Sequence, residues 1–323
     1  MKLRTELDLK SYTPKINRQD KILLMGSCFS FHIGEKLRQY KFDLMNNPFG
    51  TIYNPIAICH LLNTASYHRS WPGSLFLENQ GIHRHYWTHS DMAATSLEEL
   101  KKKLEILNDK FSAFIKETKW VIFTMGTSIA YELPHGEIVA NCHKMPSKTF
   151  KRRYMTCDEI VEWCMNSFNI IESINPGVQF LLTVSPVRHL KEGIESNQIS
   201  KSILRLACHK LTEKKTNLKY FPSYELMMDD LRDYRYYKSD MAHPNDIAVD
   251  YIWDRFKTAL IDNDSLIWMR RWEKIIKALQ HRPFFPGTPQ HQRFVKKTLR
   301  QLEAFSKEVD ISEEKQILKQ QLI

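Results

Sequence analysis

Lys21-Ile22-Leu23-Leu24-Met25-Gly26-Ser27-Cys28-Phe29-Ser30 is the stretch on which the reading of the fold turns. A short apolar run, Lys21–Met25, meets Gly26, a residue that permits a sharp turn. Beyond it Phe31, Ile33, Leu37 and Tyr40 recur at helical spacing. The segment reads as strand, tight turn, helix.

The same alternation returns downstream. A helix over Ser96–Thr118 precedes a buried-type strand at Trp120–Met125, a helix near Asp158–Ile174 precedes Gln179–Val184, and a helix over Asn197–Thr216 precedes Leu218–Phe221. This order predicts an α/β fold, a mostly parallel sheet with helices on both faces. Two hairpins interrupt it: Leu75–Leu77 with Ile82–Thr88, and Ile129–Leu133 with Glu137–Ala140, each flanking turn residues. Past Ile261 the pattern is purely helical, Ser265–Gln280 and Gln290–Ser306, split by a Pro-rich stretch. The expected organisation is an α/β domain over residues 1–261 and a helical C-terminal extension over 262–323, packed on that domain or on a partner.

With 323 residues, 42% of them hydrophobic, the chain can bury one large core. No run of eighteen apolar residues occurs, and charges stand where a signal peptide needs its apolar stretch, so a cytoplasmic protein with no membrane partner is expected. The six cysteines are scattered singly without a C-x-x-C pair, and read as reduced thiols. A net charge of +10 favours anionic ligands at long range. A nucleic-acid partner is not expected, because no matching motif accompanies that charge. His83, His85 and His89 read as exposed hairpin histidines, not as a metal site, for want of a completing carboxylate or cysteine. No P-loop or G-x-G-x-x-G motif appears, so neither metal nor nucleotide cofactor is expected.

In open α/β sheets ligands sit beyond the carboxyl ends of the strands. The first strand delivers Cys28 there, near a helix N-terminus whose dipole favours a thiolate, which makes it a candidate nucleophile. Far along the chain, Asp240-Met241-Ala242-His243 places a carboxylate three residues before an imidazole, just ahead of an amphipathic helix over Asp246–Leu260. Asp240 would orient the ring and His243 would act as base. Arg188 and His189, after the Gln179–Val184 strand, fall near the same edge. Arg188 would either bind an anionic group of the substrate or pair with an acid such as Asp233 or Asp240. His189 is a rival base without a carboxylate at fixed spacing.

Taken together these stretches resemble a known family. Gly26-Ser27-Cys28-Phe29-Ser30 looks like the GSCFA signature. Asn47-Pro48-Phe49-Gly50-Thr51-Ile52-Tyr53-Asn54-Pro55, Gly126-Thr127-Ser128, Asn141-Cys142-His143-Lys144, Ser185-Pro186-Val187-Arg188-His189, Phe221-Pro222-Ser223-Tyr224-Glu225 and Asp240-Met241-Ala242-His243-Pro244 look like its other characteristic stretches. The resemblance runs from about Lys21 to Phe256. That family is grouped with the SGNH (GDSL-like) hydrolases, mostly esterases of flavodoxin-like three-layer fold. The resemblance implies Cys28 in the nucleophile's place, Gly50 as an oxyanion donor, and Asp240 with His243 as the base pair. The sequence departs from the superfamily pattern at two points. Ser27-Cys28 replaces Asp-Ser, which leaves Ser27 as an alternative nucleophile. Ser128 replaces the expected Asn, which leaves three readings open: Asn141, beside His143, supplies the amide donor, the oxyanion hole is weaker, or Ser128 and Asn141 are turn residues with structural bonds.

The implied activity is hydrolysis of an ester, an acyl group on a small molecule or a glycan. Two alternatives stay open: an O-acyltransferase using the same residues, and a non-catalytic module that binds an anionic glycan or nucleic acid.

Overall fold

The apolar run forms β1 (Lys21–Gly26), flanked on both sides in a five-stranded sheet of the computed structural model, which describes residues 5–322. Ser27 leads into α1 (Cys28–Gln39), and β2 (Leu44–Asn46) returns parallel to β1. Next come α2 (Pro55–Ser66), a hairpin of β3 (Phe76–Asn79) and β4 (Ile82–His85), and α3 (Leu97–Ile115). Strand β5 (Thr118–Met125) then pairs in parallel with the other side of β1. A second antiparallel insertion holds β6 (Ile129–Glu132) between β7 (Ile138–Val139) and β8 (Lys151–Tyr154). The main sheet resumes through α4 (Cys157–Ile174), β9 (Gln179–Val184), α5 (Ile194–Lys214) and β10 (Leu218–Tyr220). The chain closes through a short turn α6 (Ser223–Glu225), then α7 (Asp246–Leu260), α8 (Asn263–Gln280), α9 (Pro289–Glu303) and α10 (Ser312–Lys319).

The spatial order β10-β9-β5-β1-β2, with every pairing parallel, is the layered α/β arrangement read from the sequence. The chain winds one way from β1 to β2 and the other way from β5 to β10. The reversal, where crevices form, therefore lies between the carboxyl ends of β1 and β5. Alternation along β1 explains its unbroken hydrophobicity. Leu23 and Met25 enter a core shared with α2, α4 and α5, while Ile22 and Leu24 enter the opposite core with α1 and α7.

That second core settles what the C-terminal helices do. Trp268, Trp272, Val295, Leu302 and Phe305 are buried in it beside Leu24 and Phe29, and the Trp272 indole donates to the Gln39 carbonyl at 2.9 Å. They pack against the end of α1 and the residues before β1, and so extend the core on that side of the sheet.

Five of the elements just named went unread in the sequence, the three-residue α6 among them. β2 is three half-buried residues with no apolar run. α2 is buried almost all round and so shows no polar face to define a helical stripe. β8 is Lys-Arg-Arg-Tyr, cations on an edge strand. α10 spans about two turns, too short to show a period. Among the described residues no helix is long and apolar enough to cross a membrane.

Candidate active site

The turn after β1 has little room. A Cβ on Gly26 would lie 2.2 Å from the Thr124 carbonyl oxygen, and its φ of +144° is strained for any side chain. Its N–H donates to Asn47 Oδ1 at 2.8 Å and its carbonyl accepts from Ile52 N at 3.0 Å, tying the turn to the loop after β2. Ser27 is 1% exposed, and its Oγ caps α1 by accepting from Phe29 N at 3.3 Å. Cys28, the first residue of α1, is half-buried, and its Sγ lies 3.7 Å from the Tyr53 hydroxyl. The Cys28 N–H, one of the donors a helix start leaves unpaired, has no acceptor among the described residues.

The Asp240–His243 loop carries its own hydrogen-bond system. Asp240 Oδ2 sits 2.7 Å from His243 Nδ1, while Oδ1 accepts from the N–H groups of Ala242 and His243 at 2.9 and 3.0 Å. These bonds, the backbone ones foremost, hold the Asp240 carboxyl well below the usual carboxylate range. The arrangement leaves His243 Nε2 as the free ring nitrogen. Met241 pays the conformational cost of the turn with φ +56°. Asn245 caps α7 directly after it.

Arg188 fastens this loop to the sheet edge that carries Cys28. Arg188 binds it twice, backbone N–H to the Ala242 carbonyl at 3.0 Å and Nη1 to the Met241 carbonyl at 3.2 Å. The guanidinium lies over the rings of Tyr237 and Tyr234. Arg188 thus holds the loop through carbonyls, and among the described residues it pairs with neither Asp233 nor Asp240, one of the two roles the sequence left open. His189 presents its ring edge to Tyr53, 5.4 Å between centroids. Burial, then the charges of Lys201 and His243, push His189 down to about 3. His32, one turn along α1 from Cys28, is lowered by burial and then by Lys238, with His243 a further cause. Among the described residues no hydrogen bond joins His243 to Cys28 or Ser27.

The oxyanion expectations fare differently. Gly50 keeps the left-handed φ of +82°, and a Cβ there would strike His89 Cβ at 2.2 Å, but its N–H is committed to the Asn47 carbonyl at 2.8 Å. The neighbouring Thr51 N–H has no acceptor among the described residues. Ser128 is fully buried, its N–H donating to Ser200 Oγ at 2.7 Å, because the loop after β5 dives beneath α5. A residue sealed there does not face a substrate. Asn141 Oδ1 accepts from His143 N at 2.8 Å and its amide reaches Ser90 Oγ at 3.3 Å. His143 is buried, its Nε2 3.0 Å from the His85 carbonyl, and burial pushes it down to about 4. His85, expected exposed, is wholly buried against Trp71, Phe76 and Trp87 and is pushed to about 3. The hairpin's inner face is a packing surface, which alternation alone could not say.

Two side chains near this edge escaped the sequence reading. Tyr53 was one letter in a longer resemblance, and only the fold brings its hydroxyl to Cys28. Lys201 looks like any helical lysine, yet it is 1% exposed and donates to the carbonyls of Gly126 and Ser185, both at 2.7 Å. The other cysteines are unremarkable: Cys59, Cys164 and Cys208 are buried in the core, while Cys142 and Cys157 are half-buried at its margin. Among the described residues no three His, Cys, Asp or Glu side chains gather into a metal-binding group.

The GSCFA family model matches residues 21–256, the span that holds every part of this edge. The chain belongs to the GSCFA family. A second model, the C-terminal domain of GSCFA domain proteins, matches residues 272–323, which hold the second half of α8 with α9 and α10. None of the curated proteins compared with it matches this GSCFA chain. Solved structures similar to it include a protein from Streptococcus pneumonia named for platelet activating factor, 10% identical, covering 74% of this chain and 83% of that one at a TM-score of 0.41. A carbohydrate esterase family 3 protein from Talaromyces cellulolyticus is 8% identical, with 78% and 99% covered and a score of 0.38. The acetyl xylan esterase Est2A from Butyrivibrio proteoclasticus is 10% identical, with 78% and 66% covered and a score of 0.36. Identities and scores this low do not bear on the chemistry of the GSCFA chain.

Proposed function

We propose that this GSCFA protein is an ester hydrolase of the SGNH kind that works through the Cys28 thiol, with His243 as base and Asp240 as its orienting partner. The observation that carries the reading is the Asp240–His243 pair at 2.7 Å, held by Arg188 at the sheet edge where α1 presents Cys28. Cys28 serves better than Ser27, whose Oγ is buried and occupied as a helix cap.

In the first half-reaction His243 Nε2 takes the thiol proton and the sulfur attacks the ester carbonyl carbon. A C–S bond forms, the carbonyl electron pair moves onto oxygen, and the unpaired Cys28 N–H, joined by that of Thr51, stabilises the charge. Collapse breaks the C–O bond, and the alcohol leaves with the proton from His243. Water then gives its proton to His243 and attacks the thioester, the C–S bond breaks, and the thiol is restored. Contacts between base and nucleophile tighten when substrate fills such a site, and the His243–Cys28 contact forms at that stage. Release of the acyl group to a sugar hydroxyl in place of water uses the same groups.

Hydrolysis of a short-chain nitrophenyl ester by the full chain tests the reading. Cys28→Ala and His243→Ala are expected to lose at least about a hundredfold in kcat/KM, and Ser27→Ala to retain hydrolysis. Equal rates in wild type, Cys28→Ala and His243→Ala overturn it.

A further inference from the structure

Lys201 is the most deeply buried cation described, and the chemistry proposed above does not use it. It projects from α5 with its Nζ between two strand ends, donating to the carbonyl of Gly126 after β5 and to that of Ser185 after β9. No carboxylate lies within ion-pairing distance of it among the described residues, and the nearest ring is that of Tyr224, 5.8 Å away. A buried ammonium without a counter-ion is costly, and burial pushes Lys201 down to about 7. A hydrophobic residue would fill the space at lower cost, so the two carbonyls are what this lysine serves.

Each carbonyl stands at the root of one half of the candidate site. The Gly126 and Thr127 N–H groups both donate to the Tyr53 carbonyl, at 2.8 and 3.1 Å, and the Tyr53 hydroxyl meets Cys28 Sγ. The close fit leaves no slack: a Cβ on Gly126 would lie 2.9 Å from the Tyr53 carbonyl oxygen. On the other side, Ser185 N donates to Met125 O at 2.8 Å, and Ser185 Oγ accepts from Val187 N, forming the turn that aims Arg188 at the Met241 and Ala242 carbonyls.

We infer that Lys201 is a positioning residue, one buried clamp that sets the spacing between the Tyr53–Cys28 side of the site and the Arg188–His243 side. This rests on the reading of the edge as a catalytic site, and it adds a group that touches neither substrate nor reacting atoms. Loss of the clamp frees the two strand-end loops to drift apart, and a misplacement of about 1 Å between reacting groups costs on the order of a hundredfold in rate.

The test uses Lys201→Met in the full chain, with Ser200→Ala as its control. Ser200 lies one residue earlier on α5, equally buried, and its Oγ bonds Ser128 N and Thr127 Oγ1, so its loss disturbs the same loop without touching the clamp. Three quantities are read: the midpoint of thermal unfolding, kcat and KM separately for a nitrophenyl ester, and the alkylation rate of Cys28 by iodoacetamide, located by mass spectrometry. The expected result is a folded Lys201→Met protein whose kcat falls roughly tenfold to a hundredfold with KM little changed, and whose Cys28 alkylation rate changes severalfold, while Ser200→Ala moves only the unfolding midpoint. Should Lys201→Met fail to fold, Lys201→Gln, which keeps a donor for one carbonyl, is expected to fold with an intermediate kcat. A folded Lys201 variant with wild-type kcat and wild-type Cys28 alkylation overturns the inference, as does a Ser200→Ala protein that matches its losses. If the wild type hydrolyses no ester, the proposed activity has failed. The alkylation comparison still decides whether Lys201 sets the environment of Cys28.

Discussion

Acid is expected to destabilise this protein well above the range in which ordinary carboxylates titrate, through four buried or half-buried histidines. His85 and His189 are pushed to about 3, and His60 and His143 to about 4, in each case foremost by burial. In the unfolded chain the same rings titrate near 6.5. Above that value both states are neutral and the stability is fully present. As pH falls below it the unfolded chain takes up protons that the folded protein refuses, so stability is lost progressively down towards the folded values. At pH 5.5 each ring contributes a loss of about 1.4 kcal/mol, so the four remove about 6 kcal/mol, a large share of a typical 5–15 kcal/mol. Urea unfolding followed by tryptophan fluorescence at pH 7.5 and 5.5 measures the difference directly. His143→Gln and His189→Gln should each shrink it by about a quarter, whatever they do to absolute stability. A wild-type unfolding free energy that agrees within about 1 kcal/mol at the two pH values refutes the argument. His143 is bonded to the His85 carbonyl and Ser90, and Asn141 shares that segment. Acid loss of hydrolysis should therefore accompany loosening of this hairpin beside Gly50, and be reversible on neutralisation.

Further outcomes follow from single contacts. Gly26→Ala should destabilise by at least ~2 kcal/mol in urea unfolding, since its Cβ would meet the Thr124 carbonyl and its φ is positive. Arg188→Gln removes the Nη1 bond to the Met241 carbonyl but spares the backbone bond to Ala242, so kcat should drop roughly tenfold with the unfolding midpoint nearly unchanged. Truncation after Ile261 removes Trp268, Trp272, Val295, Leu302 and Phe305 from the shared core, at about 1.5–3 kcal/mol each. The shortened chain should lose its cooperative transition in calorimetry, and a sharp wild-type transition would contradict the shared core.

The sequence by itself determined the layered α/β fold, because unbroken apolar runs alternating with amphipathic helices admit few other arrangements. The local pieces were legible for the same reason: a strand ending at Gly26, a cysteine opening a helix, and a carboxylate three residues before a histidine all depend on near neighbours in the chain. Burial was not legible, since it belongs to surfaces that meet only after folding. His85 lies inward and Ser128 is sealed under α5, although both are polar residues. Nor could any pattern show that the Gly50 N–H would be spent on its own turn, or that Lys201 would abandon solvent to join two strand ends. Those outcomes were decided by the tertiary structure, which brings together residues more than two hundred positions apart and sets hydrogen-bond partners by proximity in space.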